Sequence, residues 1–322
     1  MTGHQSSITI QTFNTFGPIY GPNLQRRTRL LAEKISRQDP ARFLFLQEVW
    51  RDAHYQDLRR QPGLLRAGYE FVRFDENRGD RQKRCGLLTL GPGAPDQSWL
   101  RDFPVNEGTG PIELIRRLVK IVKGMGIARF TLPDTAVLCV NTHTHPTNAR
   151  IRLDQMICLA DTVRDLHKDE LLVLAGDLNA PPASLEIRYL KTMLGLTDAY
   201  EEANGTYAPE DCTYSADNPY AVWGQSRVLD YVFYRSPPAG AWRSQRAAIN
   251  LRQWKNRWLS DHFGVRAELV PLPPGSAQDL PRSSRETQAI IDEAIAFLQA
   301  DETPEADWVP TIKRLTRQKH PG

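Results

Sequence analysis

No stretch of this chain approaches the ~18 uninterrupted apolar residues that a membrane-spanning helix needs. Its most apolar runs, such as Leu171 to Ala175, are of strand length. The opening residues, Met-Thr-Gly-His-Gln-Ser-Ser, contain neither a basic nor an apolar stretch, so no classical export signal is legible. Cysteine is scarce. Cys85, Cys139, Cys158 and Cys212 stand far apart and form no C-x-x-C pair, which excludes the common zinc and dithiol motifs. Cys139 and Cys158 fall in apolar periodic segments and read as small buried hydrophobes. A large excess of one charge is absent as well: 41 Lys+Arg against 38 Asp+Glu leave +3. That balance argues against a protein that coats nucleic acid, although a local basic patch remains open. The expectation is a reduced monomer, cytoplasmic or peripherally membrane-associated, with no transmembrane segment.

The 322 residues, 40% hydrophobic and 25% charged, are ordinary globular usage and enough to bury a substantial core. Alternation or short apolar runs predict strands at Ser7 to Phe13, Phe43 to Gln47, Tyr69 to Phe74, Gly86 to Leu90, Thr135 to Asn141, Leu171 to Ala175, Arg227 to Tyr234 and Gly264 to Val270. A period of 3.6 predicts helices at Leu24 to Arg37, Ala149 to His167 and Pro182 to Gly195, the last with a cap signal at Ser184. Strands outnumber helices and do not alternate strictly with them. That order favours an α/β sandwich of sheets faced by helices over a doubly wound sheet. Proline, glycine and serine gather at 271–285 and mark a linker. It separates a main domain, residues 1–270, from a helical tail, residues 286–322, in which Ile290, Ile291, Ala294, Ile295 and Leu298 form an apolar stripe.

Polar islands stand at or just after the ends of the buried strands. They are Asn14, Gln47-Glu48, Asn141-Thr142-His143, Gly176-Asp177-Leu178-Asn179 and Ser260-Asp261-His262, with Asp230 inside a further strand. Each alone is explained by turn formation or helix capping. Together they can converge on one sheet edge. Hard oxygen donors from few carboxylates suit Mg²⁺, and two histidines without a cysteine nucleophile suit water-mediated phosphoryl chemistry.

In their order along the chain, Asn14, Leu-Gln-Glu48-Val, Asn-Thr-His143, Gly-Asp177-Leu-Asn179, Asp230-Tyr-Val-Phe and Ser-Asp261-His262 resemble the endonuclease/exonuclease/phosphatase superfamily, which includes pancreatic deoxyribonuclease. Five further stretches are similar to its neutral sphingomyelinase branch. They are Leu46 to Trp50, Lys123 to Phe130, Arg152 to Gln155, Cys212-Thr-Tyr with Asn218-Pro-Tyr220, and Arg227 to Tyr231. The resemblance implies a four-layered α/β sandwich of two mixed sheets flanked by helices, and a metal-dependent phosphoric diester hydrolase. Its implied metal is Mg²⁺, with Mn²⁺ or another divalent cation as substitutes, held by Glu48, Asn14 and Asp261. His262 would be the general base and Asp230 would orient it. Asp177 and Asn179 would position water and phosphate. His143 would meet a phosphate oxygen or the leaving group, and Asn14, Asn179 and His143 would bind substrate.

The resemblance points to sphingomyelinase-type hydrolysis of a lipid headgroup at a membrane surface. A nuclease or another phosphodiesterase of the superfamily, and a catalytically inactive binding module, are the alternatives. For the lipid reading, Pro111 to Met125 shows one apolar and one basic helical side, as an interfacial helix does; an ordinary surface helix fits equally well. Trp254 and Trp258 are further candidates for lipid contact, and Tyr207, Tyr214, Tyr220 and Trp223 for a cage around a choline cation. For the nuclease reading, Arg78, Arg81, Lys83 and Arg84 offer a basic loop.

Overall fold

The computed structural model describes residues 6–17, 21–75, 85–105, 121–222, 224–273, 276, 283–300 and 307–319. In chain order these form β1 (Ile8–Asn14), α1 (Leu24–Ser36), β2 (Phe43–Gln47), α2 (Asp52–Arg59), α3 (Pro62–Arg66), β3 (Glu70–Arg73), β4 (Leu88–Gly91), β5 (Gln97–Asp102), β6 (Gly124–Thr131) and β7 (Ala136–His143). Then follow α4 (Ala149–Leu166), β8 (Leu171–Asp177), α5 (Leu185–Leu194), β9 (Thr197–Asp198), α6 (Ala199–Asn204), β10 (Asp230–Arg235), β11 (Trp242–Asn250), β12 (Gln253–Trp254), β13 (Arg257–Trp258), β14 (Gly264–Pro271), α7 (Ser284–Gln299) and α8 (Val309–Lys319). No helix among the described residues is long and apolar enough to cross a membrane.

A side-chain period of two decides the layers. In β2, Phe43 and Phe45 enter one core and Leu44 and Leu46 another. In β8, Leu171, Val173 and Ala175 face the first of these cores, and Leu172 and Leu174 face a third. The shared core lies between two six-stranded mixed sheets, ordered β11-β14-β1-β2-β4-β3 and β5-β6-β7-β8-β10-β9. Helices α1 to α3 cover the outside of the first sheet, and α4 and α5 that of the second. The result is the expected four-layered α/β sandwich of two mixed sheets flanked by helices, with helices at the C-terminal end.

Register then gathers the polar islands. β1 and β2 run parallel with Asn14 opposite Gln47, and β7 and β8 run parallel with His143 opposite Asp177. β10 is antiparallel to β8 and brings Asp230 opposite Asp177. β14 is antiparallel to β1, so His262, just before it, reaches the same end of the sandwich. Thr12, Asn14, Gln47, Asn141, His143 and Asp177 continue the inward parity of their strands. The inter-sheet layer is apolar along most of its length and polar at this one end.

Six strands were not anticipated: the two-residue β9, β12 and β13, and the longer β5, β6 and β11. β6 carries glycines at 124 and 126 that break its apolar period, and there is no room for side chains at either. A Cβ at 126 would lie 2.3 Å from the Phe74 ring. β5 and β11 are edge strands with few buried positions, so they lack alternation. In the segment proposed as an amphipathic helix, Gly124 and Met125 open β6, and residues 106–120 lie outside those described. The basic residues at 78–84 and Trp223 also lie outside them.

The tail packs onto the second helical layer. A capping box, Ser283 with Glu286, starts α7. Ile290, Ile291, Ala294 and Leu298 of α7, and Trp308 and Leu315 beside and on α8, join the core of α4 and α5. Gln318 reaches Asp161 at 2.7 Å, and Arg188 pairs with Glu293. Ile291, 1% exposed, is expected to stabilise the whole fold. Ile291→Ala should cost ~2–5 kcal/mol in urea-induced unfolding, followed as one cooperative transition. A loss under ~1 kcal/mol would mean that the tail rests on the domain without sharing its core.

Candidate active site

The polar end of the inter-sheet layer is organised around Asp177, which is 1% exposed. Asn14 Nδ2 donates to its Oδ2 at 2.9 Å, and the Asn179 backbone N–H donates to its Oδ1 at 3.0 Å. The imidazoles of His143 and His262 bring Nε2 to 3.3 and 3.7 Å from Oδ2. His262 Nδ1 lies 2.8 Å from Asp230 Oδ2. Thr213 Oγ1 accepts the backbone N–H groups of Leu229 and Asp230, and so fixes the start of β10. The Tyr214 ring meets that of His262 edge-on, with centroids 5.1 Å apart.

Glu48 stands at the open side, with 17% of its side chain exposed. Its Oε2 accepts the Gly17 N–H at 3.3 Å, and its Oε1 is 4.0 Å from His143 Nε2. The approach of the β1–α1 turn to Glu48 is too close for any side chain at 17, where a Cβ would sit 1.8 Å from the Glu48 carbonyl oxygen. Phe16, Glu48 and Asn179 adopt φ of 47°, 63° and 48°. Left-handed backbone in residues other than glycine costs of order 1 kcal/mol each and clusters at functional sites.

The residues proposed from the sequence for catalysis and metal binding are all in this neighbourhood. Asn14, His143, Asp177, Asn179, Asp230 and His262 form one connected network. Asp261 accepts from Ser260 Oγ at 3.1 Å and feels the charge of Glu48. Asn14 uses its Oδ1 for the Phe16 N–H and its Nδ2 for Asp177. Asn141 is spent on structure: it accepts from Gln47 Nε2 at 2.9 Å and donates to the carbonyls of Leu46 and Leu88.

Lys123, expected on the basic side of an interfacial helix, instead belongs here. It is 6% exposed, with Nζ 2.6 Å from His143 Nε2 and 5.4 Å from the Trp50 ring centroid. The ammonium can only donate, and both ring nitrogens of His143 lie within its reach, Nδ1 at 3.0 Å; Nε2 also faces Asp177 Oδ2 at 3.3 Å. Sequence pattern alone had no signal for this contact beyond a Lys-Gly pair before a strand.

Other expectations are corrected. Tyr207 stacks on Tyr200 at 4.7 Å and its hydroxyl reaches buried Asp198, so it cannot line a cage with Tyr214. Trp254 lies under Lys34 and Arg37, and Trp258 stacks on Phe263 at 5.9 Å; both are half-buried packing residues.

Burial sets the electrostatics. It disfavours the His262 imidazolium, but the charges of Asp230, Asp177 and Asp261 outweigh it and hold the pKa well above the histidine range. Asp230, cut off from water, is pushed up to about 6, with His262 opposing. Burial also pushes Asp261 up, to about 7, where His262 opposes and the Glu48 charge adds. Glu48, and Asp261 close enough to feel its charge, offer carboxylate oxygens of the kind a hard divalent cation takes. A second set, Asp177, Asp230 and His262, brings ligand atoms within 4.8 Å of one another.

A family model described as the Endonuclease/Exonuclease/phosphatase family matches residues 12–262, which contain all of these side chains. The chain belongs to this family. Members of the Endonuclease/Exonuclease/phosphatase family are phosphoric diester hydrolases and usually use divalent metals. No curated protein sequence matches the chain. Among solved structures, D. rerio TDP2 complexed with a single-strand DNA product is 20% identical, with a TM-score of 0.64, over 82% of this chain and 99% of that one. Beta toxin from Staphylococcus aureus is 16% identical, with a TM-score of 0.60, over 81% and 99%. An endonuclease/exonuclease/phosphatase from Bacteroides vulgatus is 18% identical, with a TM-score of 0.64, over 83% and 100%. At these identities the likeness is one of fold.

One buried base underlies the site. His54 of α2 is 2% exposed and lies beneath the Gly17–Glu48 contact, with its Nδ1 3.1 Å from where a Cβ on Gly17 would sit. Burial, helped by Arg27 and Arg51, lowers its pKa from 6.5 to about 3. The unfolded chain therefore binds this proton at a pH where the folded one refuses it. Stability from this group is complete above pH 6.5 and declines as pH falls toward about 3. His54→Gln should flatten that acid limb in urea titrations at stepped pH. An unchanged slope would show that His54 does not report it.

Proposed function

We propose that the protein hydrolyses a phosphodiester by attack of a water activated at His262. The observation that carries this reading is the Asp230–His262 contact of 2.8 Å, with the opposite ring nitrogen facing the Asp177 cluster. A carboxylate on Nδ1 fixes the tautomer in which Nε2 is the free acceptor and raises its basicity. Asp177 and Asn179 hold the attacking water and one phosphate oxygen. Lys123, with His143 beside it, supplies a buried cation for another. Asn14 keeps Asp177 from turning away. Glu48 and Asp261, with Asn14 near, are the proposed holders of Mg²⁺. A bound Mg²⁺ would polarise a phosphoryl oxygen, offset the charge that grows in the transition state and lower the proton affinity of His262.

For substrate, we favour sphingomyelinase-type cleavage, which releases a phosphorylated headgroup. The stretches similar to that branch supply side chains to this site. Trp50 and Lys123 flank His143, Tyr214 packs on His262, and Asn218 donates to the Ser260 carbonyl at 2.8 Å. The second reading is a nuclease, supported by the shared fold with a DNA-bound TDP2.

Sphingomyelin vesicles, a lysophospholipid, plasmid DNA and a chromogenic phosphodiester, each with Mg²⁺ and an EDTA control, separate the readings. Lipid cleavage that EDTA abolishes is expected. DNA cleavage without lipid cleavage would replace the lipid reading, and inertness on all substrates would favour a binding protein. His262→Ala should stay folded at a lowered melting temperature, because Asp230 loses its partner, and lose ~10²–10⁴-fold in kcat per folded molecule. Activity within a few-fold of the wild type would remove His262 from the base role.

A further inference from the structure

Arg27, on α1, is 2% exposed and makes four hydrogen bonds, all to backbone carbonyls. Its Nη1 donates to Thr15 at 2.7 Å and to Leu259 at 3.1 Å. Its Nη2 donates to Phe16 at 2.6 Å, and its Nε to Pro22 at 2.9 Å. The guanidinium carbon lies 5.3 and 5.6 Å from the ring centroids of Phe16 and Tyr220, which themselves stack at 6.0 Å.

We infer that Arg27 is a positioning residue that locks together the three segments supplying the two sides of the site. One is the β1–α1 turn, in which Asn14 meets Asp177 and Gly17 meets Glu48. The second is the segment before β14, in which Leu259 precedes Asp261 and His262. The third carries Tyr220, and its Asn218 grips the Ser260 carbonyl from the other side. The inference rests on the proposed function, because it assigns Glu48 and His262 to one reaction.

The geometry asks for a planar fork. Carbonyls of Thr15, Phe16, Pro22 and Leu259 surround the group on several edges, and an ammonium on a flexible stem cannot reach them together. The charge is buried without a carboxylate bonded to it. Desolvation lowers its pKa, and Tyr220, Asp261 and Glu48 act against that loss. So Arg27 also places fixed positive charge behind the carboxylates of Glu48 and Asp261. It touches neither of them, which leaves their oxygens free.

Arg27→Lys keeps the charge and loses the fork. Measured with the chromogenic phosphodiester well below the melting temperature, its kcat should fall about 10²-fold, the cost of a small misplacement of reacting groups. KM should change by far less. The rise in melting temperature that Mg²⁺ induces in the wild type should shrink in the variant. A lower melting temperature with kcat per folded molecule and the Mg²⁺ increment both unchanged would overturn the inference and leave Arg27 purely structural. Tyr220→Leu, which removes one ring and none of the bonds, should lose kcat and Mg²⁺ increment in the same direction by a smaller factor. If Arg27→Lys does not fold and Tyr220→Leu matches the wild type in both, the inference is likewise overturned. Should the wild type cleave no phosphodiester, the proposed function fails, while the Mg²⁺ increment still tests Arg27.

Discussion

A carboxylate taken out of water costs several kcal/mol unless donors replace the water. Asp177 is such a group, and the architecture of the site follows from supplying it. Donors come from β1 (Asn14) and from its own turn (Asn179 N–H), while the imidazoles of His143 and His262 approach from β7 and from the segment before β14. The first and the last belong to one sheet, the others to its partner, so the two sheets must meet closely at this end. Gly176 makes that approach possible within the second sheet. Its φ is 151°, and a Cβ there would lie 2.0 Å from the Thr142 carbonyl oxygen. A side chain at 176 would push β8 off β7 one residue before the carboxylate.

The same two-residue period that builds the core also explains why so much of the site was legible in the chain. Short strands with strict alternation announce which positions face inward. Polar residues that continue an inward parity, such as Gln47 after Phe45 and His143 after Cys139, must be satisfied by one another or by a ligand. Asn141 shows that not every such residue is functional, since it bonds only to protein groups across the sheet interface. Less could be read where the signal is tertiary. Lys123 precedes a glycine-broken strand, and only the fold lays its ammonium against His143. Arg27 sits on a helix whose other basic residues form an outer face, and nothing in the spacing distinguishes it from Arg26 or Arg29. Tyr207 looked like its loop neighbours until the fold put its hydroxyl on Asp198.

The placement of charge gives the site two sides. On one, His262 is held between Asp230 and Asp177, and carboxylates raise its proton affinity. On the other, Glu48 is partly exposed and Asp261 feels its charge, with a buried arginine behind them and few bonds of their own. Lys123 stands at the far edge, against Trp50. Such an arrangement is poorly balanced until a cation and an anion arrive together. That is the demand a metal-bound phosphodiester meets, and it is independent of whether the rest of the substrate is a lipid or a nucleic acid. The left-handed backbone at Phe16, Glu48 and Asn179 lies in this same shell, so local strain is retained where the chemistry would need fixed geometry.

Two donor sets could hold a divalent cation: the carboxylates of Glu48 and Asp261, and the buried Asp177–Asp230–His262 group. Crystals soaked in Mn²⁺ and inorganic phosphate, measured near the manganese absorption edge, decide between them. The account predicts an anomalous peak at the Glu48 carboxylate, with His262 Nε2 unligated and facing the phosphate. A peak ligated by His262 Nε2, or no ordered manganese in the cleft, would contradict it, because His262 could not then serve as the base beside that metal.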